Sequence, residues 1–293
     1  MRRPSIWRWV RKGSPFTDIY VGWQRLQVNS RFAVALSRAA ANAATRVLDP
    51  QRPETWEFSG FSQNGEDGII DYLTGNLKTS NRYFLEIGAS NGFENNTSYL
   101  ALARRWSGIM VEANPALSDQ CRFAFEKLNW GLRCIPLMVE PDNTSDILRQ
   151  MQWMNPDLFS LDIDGNDYYV AKALLEVGMR PKIIVVEYNS AFGPTRSATV
   201  TYRRGFSRHR VHSSGLYYGV SITAWRTFLE GLGYSFLTVE TNGVNAFFID
   251  PHQFPEHFLA TIQRAEFREN FTQPARDWEQ QWAQIAHLPL VEI

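Results

Sequence analysis

The chain has 293 residues, with 30 basic and 30 acidic side chains and a formal net charge of zero. This balance argues against a nucleic-acid-binding protein, and the 44% apolar content excludes a mainly disordered chain. No apolar stretch approaches the roughly 18 residues of a membrane-spanning helix, which excludes an integral membrane protein. The two cysteines lack metal-type spacing, so we expect neither a zinc site nor a disulfide framework, and a reducing cytoplasm is the simplest compartment.

Residues 1–56 are predicted to form an accessory region. A basic and aromatic arm comes first, then an alanine-rich helical stretch at 32–48 and a polar break at 49–53. The arm has no apolar block behind it, so it is not a secretory signal. We expect it to be disordered or folded on a partner subunit of a homo-oligomer, and peripheral contact with an anionic membrane surface is the alternative.

Strand-like and helix-like segments alternate from residue 82 onward, which indicates a parallel sheet with helices on both sides. The predicted strands are 83–87, 108–112, 133–139, 158–162 and 182–187. After a helix at 223–232, Asn242 and Gly243 join two further strands in a predicted hairpin. The sequence therefore predicts an α/β protein with a doubly wound, mostly parallel seven-stranded sheet that closes with an antiparallel hairpin. This domain covers 57–252, and helical extensions cover 1–56 and 253–293.

The loop after the first predicted strand has the features of a ligand-binding turn. Gly88 and Gly92 allow the backbone to approach a ligand closely, and Glu86 is suited to accept from a cationic amino group. Glu112 ends the second strand about twenty residues later, where an acidic side chain accepts the hydroxyls of a ribose. The spacing is Gly-x-x-x-Gly, which favours a nucleoside without phosphates over a dinucleotide.

Four segments carry a resemblance to a known family. Residues 84–92 and 111–115 look like the first two motifs of class I S-adenosylmethionine-dependent methyltransferases, and the closing hairpin is also the arrangement of that class. Leu-Asp-Ile-Asp-Gly-Asn-Asp at 161–167 resembles the fourth-strand signature of the FkbM-like group, with Asp164 and Asp167 where that group usually has glutamates. Phe-Ser-Gln-Asn-Gly-Glu-Asp at 61–67 resembles a motif that precedes the domain in FkbM-like proteins of glycan gene clusters.

This resemblance covers 58–250 and implies a cofactor and a reaction. The cofactor is S-adenosylmethionine, and the expected reaction is O-methylation of a hydroxyl on a sugar or glycan precursor in the cytoplasm. The residues expected to contact the cofactor are Gln63, Glu66, Asp67, Glu86, Gly88, Ala89, Asn91, Gly92, Glu112 and Asn114.

Acidic residues at the ends of strands four and five mark the expected reaction centre, with Asp162, Asp164 and Glu187 as its catalytic residues. In one hypothesis, Asp164, Glu187 and Asn189 hold Mg²⁺, which grips two sugar hydroxyls. In the other, Asp162 or Asp164 is a metal-free general base. The structural alternative is that these carboxylates cap the following helix.

The segment at 190–219 is basic and is expected to cover the acceptor. No acidic residue occurs between Glu187 and Glu230. The expected acceptor-binding residues are Tyr202, Arg203, Arg204, Arg208 and His212. Arginines at these positions suit an anionic acceptor such as a phosphate, a nucleotide-diphosphate sugar or a uronic acid. The alternative is a solvated loop whose arginines pair with acids elsewhere.

Two other classes of function compete with methyl transfer. Asp162-Ile-Asp164 matches the Asp-x-Asp metal motif of nucleotide-sugar-dependent glycosyltransferases, although that motif explains neither Glu112 nor the closing hairpin. A non-catalytic binding protein on the same fold is the second alternative. Binding of S-adenosylhomocysteine or of a nucleotide sugar distinguishes the enzyme hypotheses.

Overall fold

The computed structural model describes residues 15–262, 266–270 and 277–293. Its first element is a single helix, α1, at Pro15–Thr45. The sequence predicted a helix at 32–48, so the helix begins well before the predicted start. Tertiary contacts stabilise the added part, because Val28 packs against the core and Arg25 donates to Glu126 and to the Phe123 carbonyl. The predictions for the arm at 1–14 lie outside the described residues.

The main sheet has the predicted architecture of seven strands. These strands are β1 Tyr83–Ile87, β2 Ser107–Glu112, β3 Leu132–Pro136, β4 Leu158–Leu161, β5 Ile183–Glu187, β7 Ser235–Val239 and β8 Asn245–Ile249. They lie in the order β3-β2-β1-β4-β5-β8-β7, in which β8 runs antiparallel to both β5 and β7 and the remaining neighbours are parallel. The prediction of a doubly wound sheet that closes with an antiparallel hairpin is confirmed.

Helices cover both faces of this sheet, so successive strand residues enter different hydrophobic clusters. In β1, Leu85 packs into one cluster and Phe84 into the other. The helices after α1 are α2 Glu66–Gly75, α3 Ser98–Ala103, α4 Pro115–Phe125, α5 Thr144–Leu148, α6 Asp167–Glu176, α7 Arg208–Val211, α8 Ile222–Gly231, α9 Glu256–Thr261 and α10 Trp278–Ile285. Among the described residues, no helix is both long and apolar enough to cross a membrane.

A second, two-stranded sheet joins the basic segment to the C-terminal residues. Strand β6 (Ala198–Val200) pairs antiparallel with β9 (Leu290–Glu292). The sequence had predicted a helical extension after residue 252. The structure differs from that prediction by the strand β9, which the sequence pattern did not reveal because a strand of three residues is too short to show a pattern. Phe192, Tyr217 and Ile285 form a separate hydrophobic cluster beneath this pairing. We call residues 190–220 and 278–293 together the cover.

Candidate active site at the carboxyl edge of the sheet

A cavity of about 520 Å³ opens where the parallel strands end. Because the carboxyl ends of parallel strands meet at one edge, the loops that follow β1, β2 and β4 share its wall. Gly88 and Ser90 line it after β1, Glu112 after β2 and Asp162 after β4. The cover closes the opposite side with residues 206–209. The sequence had predicted a ligand site at this edge.

The glycine loop is held against both neighbouring strands. The amides of Gly88 and Ala89 donate to the carbonyl of Val111 at 2.9 and 3.0 Å. Gly88 has a φ of +94°, and Ser90 adopts the left-handed region with a φ of +49° although it has a side chain. This backbone conformation is strained for a residue other than glycine, and such strain persists where the surrounding structure enforces it. Gly92 has a different role, because a Cβ there would lie 2.7 Å from the Phe125 ring, so its smallness serves packing against α4.

Glu112 is fixed at the cavity wall by two backbone amides. Ser90 donates to one carboxylate oxygen at 2.9 Å, and Asn114 donates to the other at 2.7 Å. Each oxygen keeps a lone pair for a further donor. Asn114 itself does not line the cavity, since its side chain accepts from the Ala116 amide and caps α4.

Two predicted cofactor residues, Glu66 and Asp67, are buried within the 59–67 loop and do not line the cavity. One oxygen of Asp67 accepts from the amides of residues 60, 61 and 62, and burial raises the pKa of Asp67 to about 7. Glu66 accepts from the side chains of Asn64 and Asn245. These carboxyls shape the loop, whereas Gln63 lines the cavity and donates to Glu94 at 3.3 Å.

Glu86 is likewise turned away from the cavity. Its carboxyl accepts from the Asn96 amide at 2.8 Å and from the Thr97 hydroxyl, and burial raises its pKa to about 7. Glu86 is buried and does not line the cavity, so in this structure it is not placed to receive a cationic amino group of a ligand there. Ala89 is buried beneath the loop, and the Asn91 side chain accepts from the Phe93 amide at 3.0 Å.

Three carboxyl groups meet beside the cavity. Asp162 follows β4, Asp167 begins α6 and Glu187 ends β5, and one oxygen from each lies within 4.8 Å of the others. Burial and the neighbouring Asp164 raise the pKa of Asp162 to about 7, and burial and Asp162 raise the pKa of Glu187 well above its usual value. Asp162 can therefore take up or release a proton near neutral pH.

The structure does not assemble the predicted ligand set of Asp164, Glu187 and Asn189. Asp164 has a φ of +56°, and its side chain is 56% exposed. The Asn189 amide donates to the carbonyls of residues 216 and 218 and accepts from the amide of residue 191, so its polar atoms are engaged. The cluster around Glu187 instead contains Asp162 and Asp167. Neither strand periodicity nor motif spacing shows which acidic side chains turn inward after a strand ends.

Arg208 is the basic residue of the cover that reaches this centre. Its guanidinium pairs with Asp164 at 2.7 Å and lies 4.9 Å from the centroid of the buried Tyr218 ring. Burial and Glu187 raise the pKa of Tyr218 well above its usual value, so its hydroxyl stays neutral. Arg208 and its neighbour His209 both line the cavity.

The other predicted acceptor residues are engaged outside the cavity. The Tyr202 hydroxyl donates to Glu140 at 3.1 Å, and the exposed Arg204 pairs with Asp142 at 2.6 Å. Two more are held by neighbours in the loop. Arg203 is bonded through its backbone to Asn166, and His212 contacts Ser214 and lies edge-on to the His287 ring. For Arg204 the alternative of an arginine paired with an acid elsewhere is therefore correct.

Two residues that connect the cover to the sheet were not predicted from the sequence. Glu140 is buried and accepts from the Gly205 amide at 2.7 Å as well as from Tyr202. Phe206 lies on the backbone of Gly165, where a Cβ would stand 2.2 Å from its ring. Each pairing joins residues more than forty positions apart, so local patterns do not reveal it. The glycine at 165 is the one signal that a close approach occurs there.

Comparison with known proteins gives structural matches only. No protein-family model matches the sequence, and no curated protein matches it. An O-methyltransferase from Bacillus cereus in complex with SAH is 18% identical, with 75% of this chain and 89% of that chain covered and a TM-score of 0.41. The SAH-bound methyltransferase PaMTH1 from Podospora anserina is 15% identical, with 82% and 97% covered and a TM-score of 0.40.

The order of strands decides the fold. Five parallel strands followed by an antiparallel β8 inserted between β5 and β7 form the sheet that the sequence motifs had indicated. The chain has the Rossmann-like class I methyltransferase fold.

Proposed function

We propose that this chain is an S-adenosylmethionine-dependent methyltransferase of the FkbM-like type, which methylates a hydroxyl of a sugar or glycan precursor. One observation carries the proposal: a single cavity at the carboxyl edge of this sheet joins the fixed Glu112 carboxylate to Asp162 of the buried acidic cluster. The glycan class of the acceptor rests on the motifs at 61–67 and 161–167.

The residues of the cavity fit the proposed cofactor. Glu112 presents two oriented oxygens to a ribose diol, and Gly88 leaves the backbone bare beside Asp162. The side chains of Leu117, Met138 and Val139 supply an apolar wall for a base. When bound, S-adenosylmethionine supplies an electrophilic methyl group on a sulfonium. The protein's own task is then to position an acceptor and manage its proton.

Asp162 is the proposed general base. It lines the cavity, and a pKa of about 7 lets it take a proton from an acceptor hydroxyl near neutral pH. Glu187 lies buried beside it, and the raised pKa of Glu187 favours its neutral form next to an ionised Asp162. Asp164 has a different task, because its ion pair with Arg208 holds that guanidinium at the cavity wall. Arg208 is then the residue that receives an anionic group of the acceptor.

A metal-assisted reaction is the second candidate. One carboxylate oxygen of Glu187, Oε2, is buried and has no hydrogen-bond partner among the described residues. Together with Asp162 and Asp167 it offers the oxygen ligands that Mg²⁺ prefers. Chelation distinguishes the two candidates: turnover that stops in excess chelator and returns with Mg²⁺ supports the metal, and turnover that persists supports the free base.

Calorimetry with S-adenosylhomocysteine tests whether the chain binds the proposed cofactor. A second assay measures methyl transfer from labelled S-adenosylmethionine to neutral and anionic sugars. We expect S-adenosylhomocysteine to bind and label to appear on a sugar hydroxyl. Binding of a nucleotide sugar with Mn²⁺, and none of S-adenosylhomocysteine, would contradict the proposal in favour of a glycosyltransferase. Binding without transfer to any sugar would contradict the proposed acceptor.

A further inference from the structure

The outward side of α1 is exposed and carries no charged residue. One side of the helix packs on the body through Phe32 and Ala39. At about 3.6 residues per turn, the opposite side holds a different set. Its members are exposed: Trp23, Leu26, Ser30, Ala33, Val34, Ser37, Ala40 and Ala41. Trp23 is 54% exposed and Leu26 is 65% exposed. A helix side that faces only water normally carries charges, so this one indicates a contact surface.

Charge is distributed very unevenly along the chain. Residues 1–48 contain nine basic residues and a single acidic one, Asp18. The net charge of zero therefore combines a strongly positive N-terminal segment with a negative remainder. Within α1, the exposed Arg31 and Arg38 flank the uncharged side. The arm adds five basic residues and two tryptophans in its first twelve positions.

We propose that α1 and the arm before it bind the surface of an anionic membrane. Basic residues are attracted to anionic headgroups, and tryptophan side chains favour the boundary between headgroups and acyl chains. The uncharged side of α1 with Trp23, Leu26 and Val34 then lies against the lipid, and Arg31 and Arg38 reach the headgroups beside it. A nucleic acid is a poorer occupant, because phosphates would meet the uncharged side of the helix.

The proposed membrane surface adjoins a cavity that meets the candidate active site. This second cavity, of about 580 Å³, lies between α1 and the 59–63 loop, with Arg31 and Arg38 on one wall and Phe61 on the other. Gln63 and Glu94 line both cavities. Gln63 donates to Glu94 at 3.3 Å, so a membrane bound to α1 lies across this hydrogen bond from the cavity that Asp162 lines. The binding itself does not depend on the proposed methyl transfer.

Sedimentation of the full chain with lipid vesicles tests the proposal. The two vesicle types are phosphatidylcholine alone and phosphatidylcholine mixed with phosphatidylglycerol. We expect the chain to pellet with the mixed vesicles, to stay in solution with the neutral ones, and to be released by added salt. The double variant Trp23→Ala/Leu26→Ala should lower the affinity for mixed vesicles by about tenfold. Substitution of the five basic arm residues by glutamine should remove the salt-dependent binding.

The chain offers a matched control in Leu128→Ala/Trp130→Ala, which removes the same two residue types, also exposed, from the loop after α4. This control should pellet like the wild type, and both double variants should keep the wild-type circular dichroism spectrum. Several outcomes overturn the proposal. They are failure of the wild type to pellet with mixed vesicles, equal losses in both double variants, and a dimer that Trp23→Ala/Leu26→Ala dissociates while no vesicle binds. Retention of RNA that depends on Trp23 and Leu26, without vesicle binding, overturns it as well.

Discussion

Gly88 and Asp162 approach so closely that a Cβ on residue 88 would lie 1.6 Å from the Asp162 carbonyl oxygen. The contact joins the loop after β1 to the end of β4, and both residues line the cavity. It therefore fixes the distance between the glycine loop and the acidic cluster. Any residue type other than glycine at position 88 would push the ends of β1 and β4 apart.

Gly88→Ala should unfold at a lower denaturant concentration and lose affinity for S-adenosylhomocysteine. Gly178→Ala is the matched control, because Gly178 also has a positive φ, +101°, but no atom lies within 4 Å of its added Cβ. Backbone strain should cost each variant about 1–2 kcal/mol. The clash should cost Gly88→Ala about 2 kcal/mol more, measured by urea unfolding. Equal losses of unfolding free energy in the two variants would contradict this contact.

Glu112→Ala should weaken binding of S-adenosylhomocysteine by about 1–3 kcal/mol, because it removes both oriented acceptors from the cavity wall. Isothermal titration calorimetry measures the effect. Glu176→Ala serves as the control, since Glu176 is an exposed glutamate at the end of α6, away from the cavity. An affinity unchanged in Glu112→Ala would refute the ribose assignment.

Asp162→Asn should reduce turnover by about 10²–10⁴-fold and leave S-adenosylhomocysteine binding intact. In the wild type, Asp162 must be ionised to act as a base, and its pKa is raised to about 7. Turnover should therefore be low at acidic pH, rise through pH 7 and level off above it. Asp119→Asn, which changes an exposed aspartate of α4 outside the cavity, should keep most of the activity. A flat profile between pH 6 and 8 would assign the base elsewhere.

Arg208→Ala should raise the KM for an anionic acceptor by about tenfold, because it removes a charge-assisted hydrogen bond at the cavity wall. The KM for a neutral sugar and the affinity for S-adenosylhomocysteine should change little. Arg204→Ala is the control, since Arg204 pairs with Asp142 on the surface. If Arg204→Ala raises the KM as much as Arg208→Ala, the cover does not bind the acceptor through Arg208.

Local sequence patterns predicted the main sheet because each of its elements is marked by a few consecutive residues. Asn242 and Gly243 alone mark the hairpin between β7 and β8, and β1 was predicted with the bounds that it has in the structure. The pairing of β6 with β9 was not predictable, because its two strands lie about ninety positions apart and each has three residues. Propensity also failed to place the start of α1, because the contacts of Arg25 and Val28 with the body of the protein involve residues distant in sequence.

The candidate site was predictable in its position and only partly in its residues. Glu86 and Glu112 look equivalent in sequence, since each is acidic and lies at or next to the end of a strand. The structure separates them by burial, because Glu86 is enclosed by the protein whereas Glu112 lines the cavity. Arg204 and Arg208 also look alike in sequence, and they differ in the structure by the acidic residue that each one meets. Such partners come from distant segments, and residue type alone does not identify them.

The pairing of β6 with β9 also constrains the order in which the molecule is completed. The ribosome makes β9 after every strand of the main sheet and about ninety residues after β6. Until β9 has been translated, β6 lacks this pairing partner, so the cover is the last part of the molecule that can be completed.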